Sequence, residues 1–162
     1  MILRGRIVAG PMRGEGLVEH FHYRIVHALG FEPYKGTLDV KIDGKFHIED
    51  YATKVIDHVL LDGRTMTDAY LCPATVRKGD KHVKAWIIRK PKDIHGKDML
   101  EILSKERIKD ELGLADGDMV EIDIQHAKVK KSDRRRHLAM RFRRKKQDIP
   151  HLLSGDTTLM KR

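Results

Sequence analysis

Within the stretch GFEPYKGTLDV (residues 30–40), Thr37 and Asp39 place a hydroxyl and a carboxylate two residues apart. Side chains of a strand alternate between its faces, so on extended backbone the two groups share a face. A hydroxyl beside a carboxylate is half a shell for Mg²⁺, which takes a few hard oxygen ligands and shares the remainder with water and phosphate. The same spacing also occurs on strands that simply face solvent. A second candidate is GPMRGEG (Gly10, Pro11, Met12, Arg13, Gly14, Glu15, Gly16), which reads as a glycine-rich loop between a strand and a helix. Backbone N–H groups freed by glycine approach phosphate oxygens closely; Arg13 adds a charge, and Glu15 can position a donor or a water. The segment matches neither the Walker pattern nor GxGxxG, so an ordinary turn is the alternative.

Two further groups can bind without doing chemistry themselves. Around Arg107, Ile108, Lys109 and Asp110, exposed amides at a helix start and positive charge can meet a second phosphate or a base, or can form a solvated helix face. Asp93 to Glu101 is a polar loop rich in groups able to hydrogen-bond a heterocycle. The ten histidines do not make a metal site: His20 and His22 are two apart on an expected helix and face different ways, and HExxH is absent. Cys72, the only cysteine, lies in the apolar run AYLCPA and reads as a buried thiol.

The elements that must position these residues are short. Ile2–Ala9 alternates as a first strand, and residues 18–29 place Val18, Phe21, Ile25 and Leu29 at helical spacing, with Gly30 as the stop. Thr37–Ile42 is a strand, and Asp43-Gly44 predicts a hairpin with Phe46–Ile48 as the return arm. Asp62-Gly63 and RKGDKH (77–82) are further turns, VKAWIIR a buried strand, and MVEIDIQ (119–125) a last one. SKERIKDELGLADGD (104–118) reads as a short helix with Ser104 as N-cap and Gly113 as stop. Many short strands, three hairpin-type turns and two short helices predict a mainly β protein, a small antiparallel barrel.

Charge divides the chain of 162 residues in two. Residues 127–162 hold 13 Lys and Arg against 3 Asp, whereas residues 1–126 hold 20 against 21 acidic residues. The expected organisation is a domain over 1–126 and a basic tail over 127–162, disordered or helical on binding, with eleven cations between 128 and 146. One cysteine, no secretory signal in MILRGRIVAG and no apolar run of membrane-spanning length predict a cytoplasmic protein without a membrane span.

Taken in order, GEG (14–16), LGFEPYKGTLDVKID (29–43), YLCPATV and LGLADGDMVEI (112–122) resemble the archaeal CTP-dependent riboflavin kinases over roughly residues 1–126. The resemblance implies a six-stranded cradle-loop (RIFT-related) β-barrel, with transfer of the terminal phosphate of CTP to the 5′-hydroxyl of riboflavin, giving FMN and CDP. It implies that Gly10–Gly16 wrap the nucleotide phosphates, that Thr37 and Asp39 hold Mg²⁺, and that Arg107–Asp110 contact the nucleotide. Asp93 and Glu101 fall at flavin-contacting positions. Asp39 stands where the family usually has Asn and Asp93 where it has Thr, the glycine segment is slightly longer than the family's form, and Leu17 leads directly into the helix. The extra charge on Asp39 strengthens metal binding and offers a base for the hydroxyl proton, as does Glu15. A reading of a different class is a small barrel that binds nucleic acid or another anionic surface through the 128–146 segment.

Overall fold

The computed structural model describes residues 1–10, 13–56, 60–61, 64–65, 68–89 and 96–125. In chain order its elements are β1 (Ile2–Ile7), α1 (Arg13–Leu29), β2 (Leu38–Ile42), a 3₁₀ turn at Ile48–Asp50 and β3 (Lys54–Ile56). There follow β4 (Leu60–Leu61), β5 (Arg64–Thr65), β6 (Ala69–Lys78), β7 (Lys81–Arg89), β8 (Met99–Leu103), α2 (Ile108–Leu112) and β9 (Met119–Ile124). Strands β6, β7, β8, β2, β1 and β9 are neighbours in that order, and β9 pairs back onto β6, so six antiparallel strands close on themselves. Closure removes the open edges that an exposed sheet would present. The expected small six-stranded β-barrel is therefore the fold.

Period-two alternation decides what lies inside. Val40, Ile42, Ala74, Val76, Ala85, Ile87, Leu100, Ile102 and Ile122 fill the barrel with exposures of 4% or less. Ile108 and Leu112 of α2 belong to the same cluster and bring that helix onto the barrel interior. The barrel is narrow where β1 crosses β2: a Cβ built on Gly5 would stand 2.5 Å from Val40 Cγ1 and 2.8 Å from Lys41 O. Only glycine allows that approach.

A second cluster lies outside the barrel. Phe21 and Ile25, one turn apart on α1, pack on Ile56, Ala69, Leu71, Ile88 and Leu103. The first half of β6 is thus buried on both faces, which is why AYLCPATV reads as a nearly continuous apolar run rather than an alternating one. β3 lies beside β6 through Lys54↔Leu71 and Val55↔Tyr70. The Arg89 guanidinium is 6% exposed and donates to Phe46 O at 2.8 Å and to Met99 O, tying the end of β7 to the start of β8.

Three local expectations change. First, α1 begins at Arg13, so Gly14, Glu15 and Gly16 lie in its first turn and not in a loop before residue 18. Glycine costs helix stability only modestly, and burial of Val18, Phe21 and Ile25 anchors the helix that follows. Second, Asp43-Gly44 turns the chain, with Gly44 at φ +104, but builds no hairpin. Both edges of β2 are already taken by β1 and β8, so the return arm pairs elsewhere: Phe46 N donates to Lys97 O at 2.9 Å, and residues 48–50 coil into the 3₁₀ turn. Third, Ser104 caps no helix. Its hydroxyl donates to Glu106 O, the chain stays extended to Arg107, and α2 spans only residues 108–112. Gly113 ends it in the left-handed region at φ +59, as expected. RKGDKH does form a hairpin, Lys78↔Lys81 around Gly79; β4 pairs with β5 through Leu61↔Arg64, and Asp62-Gly63 lies outside the described residues. The tail expected over 127–162 lies outside the described residues.

Asp118 ties the end of β1 to the turn before β9. Its carbonyl accepts from Ile7 N at 2.8 Å, and its carboxylate accepts from Lys78 Nζ at 2.7 Å and from Ala115 N at 3.0 Å. The Lys78 bond first, then the Ala115 bond, hold this carboxyl below its ordinary value of 3.8. A carboxyl depressed in the folded state stabilises the fold fully above its unfolded value and loses that contribution as pH falls through the folded one. Asp118→Asn should therefore lower Tm at neutral pH, and the gap from the parent should close in acid below 3.8. A gap of equal size at both ends of the pH scale, followed by circular dichroism, would remove the carboxylate from this account.

Candidate functional site

Because Leu38, Val40 and Ile42 point inward, Thr37, Asp39 and Lys41 belong to the outer face of β2. Thr37 Oγ1 donates to Asp39 Oδ1 at 3.1 Å, so the pair singled out by spacing does share a face. Asp39 is only 7% exposed. What covers it is the backbone leaving β1. Val8 N donates to Asp39 O at 3.0 Å, and a Cβ built on Gly10 would fall onto Asp39 Oδ2 and lie 3.0 Å from its Cγ. Glycine at this position is what lets the chain run across the carboxylate, and α1 begins three residues later.

The β2–β8 register sets Glu101 directly opposite Asp39, on the same outer face. Opposed residues of an antiparallel pair have Cβ atoms about 4.5–5.5 Å apart. Two carboxylate side chains therefore share one patch, and next to Glu101 comes Ile88, which packs under α1. Acidic oxygens gathered beside a threonine hydroxyl attract a hard divalent cation rather than a soft one.

On the other side of Thr37 opens a cleft of about 160 Å³. Tyr34, Thr37 and Ser104 line it together with Arg107, Ile108 and Lys109. The segment before β2 is zipped to the segment after β8 by Tyr34 N donating to Ser104 O at 2.8 Å. Two groups far apart in sequence, Thr37 and Arg107–Lys109, thus border one space. Asp110 is not in the wall; it receives Arg107 Nη1 at 3.2 Å, while Lys109 Nζ donates to Asp116 Oδ1 at 2.7 Å.

Of the remaining candidates, Pro11, Met12 and Asp93 lie outside the described residues, as do the side chains of Arg13 and Glu15. The backbone of residues 13–16 is helical, which turns the expected glycine loop into the first turn of α1. Cys72 is fully buried, and burial pushes its thiol up to about 12, so it stays protonated and inert as expected. His22 Nε2 sits 3.0 Å from Glu32 Oε1. Among the described residues no group of three or more His, Cys, Asp or Glu side chains converges on a metal position. A cation at Thr37 and Asp39 would complete its shell with ligand and water oxygens, which suits a metal that arrives with phosphates. Sequence reasoning singled out neither Ser104 nor Tyr34 as a cleft wall; the Tyr34–Ser104 pairing is non-local and leaves no local pattern.

The family model CTP-dep_RFKase, described as "Domain of unknown function DUF120", matches residues 7–124. The chain is 30% identical over 126 residues to a riboflavin kinase of Methanocella arvoryzae, covering 76% of this chain and 57% of that protein. It is 30% identical over 127 residues to one of Pyrobaculum islandicum, covering 75% and 59%. A third, from Staphylothermus marinus, is 31% identical over 122 residues, covering 75% and 90%. The chain thus spans less than two thirds of the first two relatives and most of the third. No helix among the described residues is long and apolar enough to cross a membrane. The match runs from the end of β1 to the end of β9 and takes in both sides of the cleft, and the chain belongs to the CTP-dependent riboflavin kinase family.

Proposed function

We propose that the protein is a cytoplasmic riboflavin kinase that transfers the terminal phosphate of CTP to the ribityl 5′-hydroxyl of riboflavin, leaving FMN and CDP. The observation that carries this reading is the single space bordered by Thr37 on one side and by Arg107, Ile108 and Lys109 on the other. Phosphoryl transfer asks a protein for positioning and charge neutralisation more than for covalent chemistry. Mg²⁺, held by Thr37 and Asp39, would supply the neutralising charge on the phosphates. The N–H groups of the first turn of α1 have no partners within the helix, so Gly10–Gly16 would offer donors to the same phosphates from the opposite side. Glycine keeps that turn open to close approach. Glu101, opposite Asp39, would hold a flavin hydroxyl near the phosphate, with Asp93 as the second flavin contact. Asp39 and Glu15 are the candidate bases for the hydroxyl proton.

The test is FMN formation from riboflavin with CTP, ATP, GTP or UTP, with and without a divalent ion. FMN formed fastest with CTP and abolished by EDTA supports the reading; no FMN with any of the four sinks it. Asp39→Ala should lower kcat/KM by at least the roughly 10–100-fold that loss of a metal's outer partner costs. Asp39→Asn keeps an oxygen ligand and should preserve turnover while raising the Mg²⁺ concentration needed. If Asp39→Asn is dead even at saturating Mg²⁺, Asp39 is the base.

The basic segment favours a second, separate property. Eleven Lys and Arg between 128 and 146 lie beyond the family match, which ends at 124. We propose that residues 127–162 form an arm that binds a phosphate backbone. The full chain should bind single-stranded RNA with an affinity that falls steeply with salt, and deletion of 127–162 should abolish that binding while FMN formation persists. Equal RNA binding by the deleted chain would refute the arm.

A further inference from the structure

Arg89 ends β7 where the alternation of that strand calls for another apolar residue. Ala85 and Ile87 fill the barrel before it, and two residues further on a guanidinium takes the inward place with 6% exposure. Burying a charge costs stability unless hydrogen bonds offset it, and an apolar side chain would fill the same place without that cost. Here the guanidinium donates to carbonyls of two different segments, Phe46 O at 2.8 Å and Met99 O. Its planar fork reaches both at once, which an ammonium on a flexible stem does not reproduce.

Those carbonyls stand where backbone pairing runs out. The β7–β8 ladder ends at Ile88↔Glu101, and Arg89 is the next residue of β7. Beyond Glu101 its side chain takes over from the backbone by bonding to Met99 O. The bond to Phe46 O anchors the same guanidinium to the segment after β2, whose Phe46 N donates to Lys97 O at 2.9 Å. Phe46 is buried and stacks on Tyr51 with ring centroids 5.4 Å apart, so the anchor is firmly packed. On its other edge β8 is held by backbone pairing on both sides of Leu100, through Asp39↔Glu101 and Lys41↔Met99. The β7 edge at Glu101 is the one that depends on a side chain.

We propose that Arg89 is a positioning residue for the phosphate acceptor: by closing the β7 edge of β8 it holds Glu101 where that carboxylate meets a flavin hydroxyl. This rests on the kinase reading, which gives Glu101 its flavin, and adds the group that sets it in place. Neither Phe46 nor Met99 lines the cleft bordered by Thr37 and Arg107–Lys109, so the effect falls on riboflavin and spares the nucleotide. Misplacing a positioned group by about 1 Å costs on the order of 100-fold, and a lysine keeps one of the two bonds, so the expected loss is roughly 10- to 100-fold.

The experiment measures riboflavin binding by fluorescence quenching and CDP binding by calorimetry, both with Mg²⁺, on the full chain and on Arg89→Lys, Glu101→Ala and the double variant. In Arg89→Lys the riboflavin Kd, and with it the riboflavin KM, should rise by that factor while the CDP Kd stays within about two-fold of the parent. In the Glu101→Ala background the same substitution should change riboflavin binding by less than about two-fold, because the group it positions is gone. A merely structural Arg89 would give the same factor in both backgrounds. That multiplicative result overturns the proposal, as does unchanged riboflavin binding in Arg89→Lys, or a CDP loss as large as the riboflavin loss. A parent that binds no riboflavin removes the kinase reading and this proposal together. A parent that makes FMN while Arg89→Lys binds riboflavin normally removes this proposal alone.

Discussion

Pairing of Val76 with Ile122 joins β6 to β9 and turns a six-stranded antiparallel sheet into a closed barrel. Once the sheet is closed, β2 has β1 on one edge and β8 on the other, and its register against both is fixed. With Leu38, Val40 and Ile42 committed to the interior, Thr37 and Asp39 have only the outer face left to them. A slip of one residue would bury the carboxylate in the barrel and expose the core. The Thr37–Asp39 pair is therefore held by the same apolar burial that stabilises the fold.

Closure also accounts for the crowding around Asp39. β1 crosses β2 so tightly that Gly5 is required at the crossing, and the chain then runs over the Asp39 carboxylate through Gly10. A carboxylate with so little access to water needs hydrogen bonds or a cation to offset its desolvation. The Thr37 hydroxyl supplies one such bond, and a divalent ion bound beside it would supply far more. On this account the burial of Asp39 both limits the ways its charge can be satisfied and points it toward a metal-bound phosphate. α1, resting its Phe21 and Ile25 on the barrel's outer surface, sets where the first-turn amides begin.

Local signals were readable in the sequence wherever a short period fixed the answer. Thr37-x-Asp39 on one face of β2, the Phe21–Ile25 stripe of α1, the Gly113 stop and the alternation of β9 all follow from repeats of two or four residues. Glycine was the ambiguous letter: at 14 and 16 it suggested a loop, but burial of the residues that follow drew the helix back to Arg13. Asp43-Gly44 misled for another reason. It does turn the chain, but which strand pairs with which depends on closure, and β2 had no free edge to offer. Glu101 beside Asp39 and Tyr34 beside Ser104 are products of register between distant segments, which no local pattern encodes.

The central claim is that a metal–nucleotide complex sits at Thr37 and Asp39 with its nucleoside end toward Arg107–Lys109. Its most direct measurement is amide NMR of the full chain with Mn²⁺, a paramagnetic stand-in for Mg²⁺, added with CDP. The account predicts broadening centred on residues 37–39 and on Gly10, with nearby shift changes at 107–109, and much weaker broadening when the nucleotide is left out. Broadening centred elsewhere on the chain, or shift changes that leave residues 37–39 and 107–109 untouched, would contradict it.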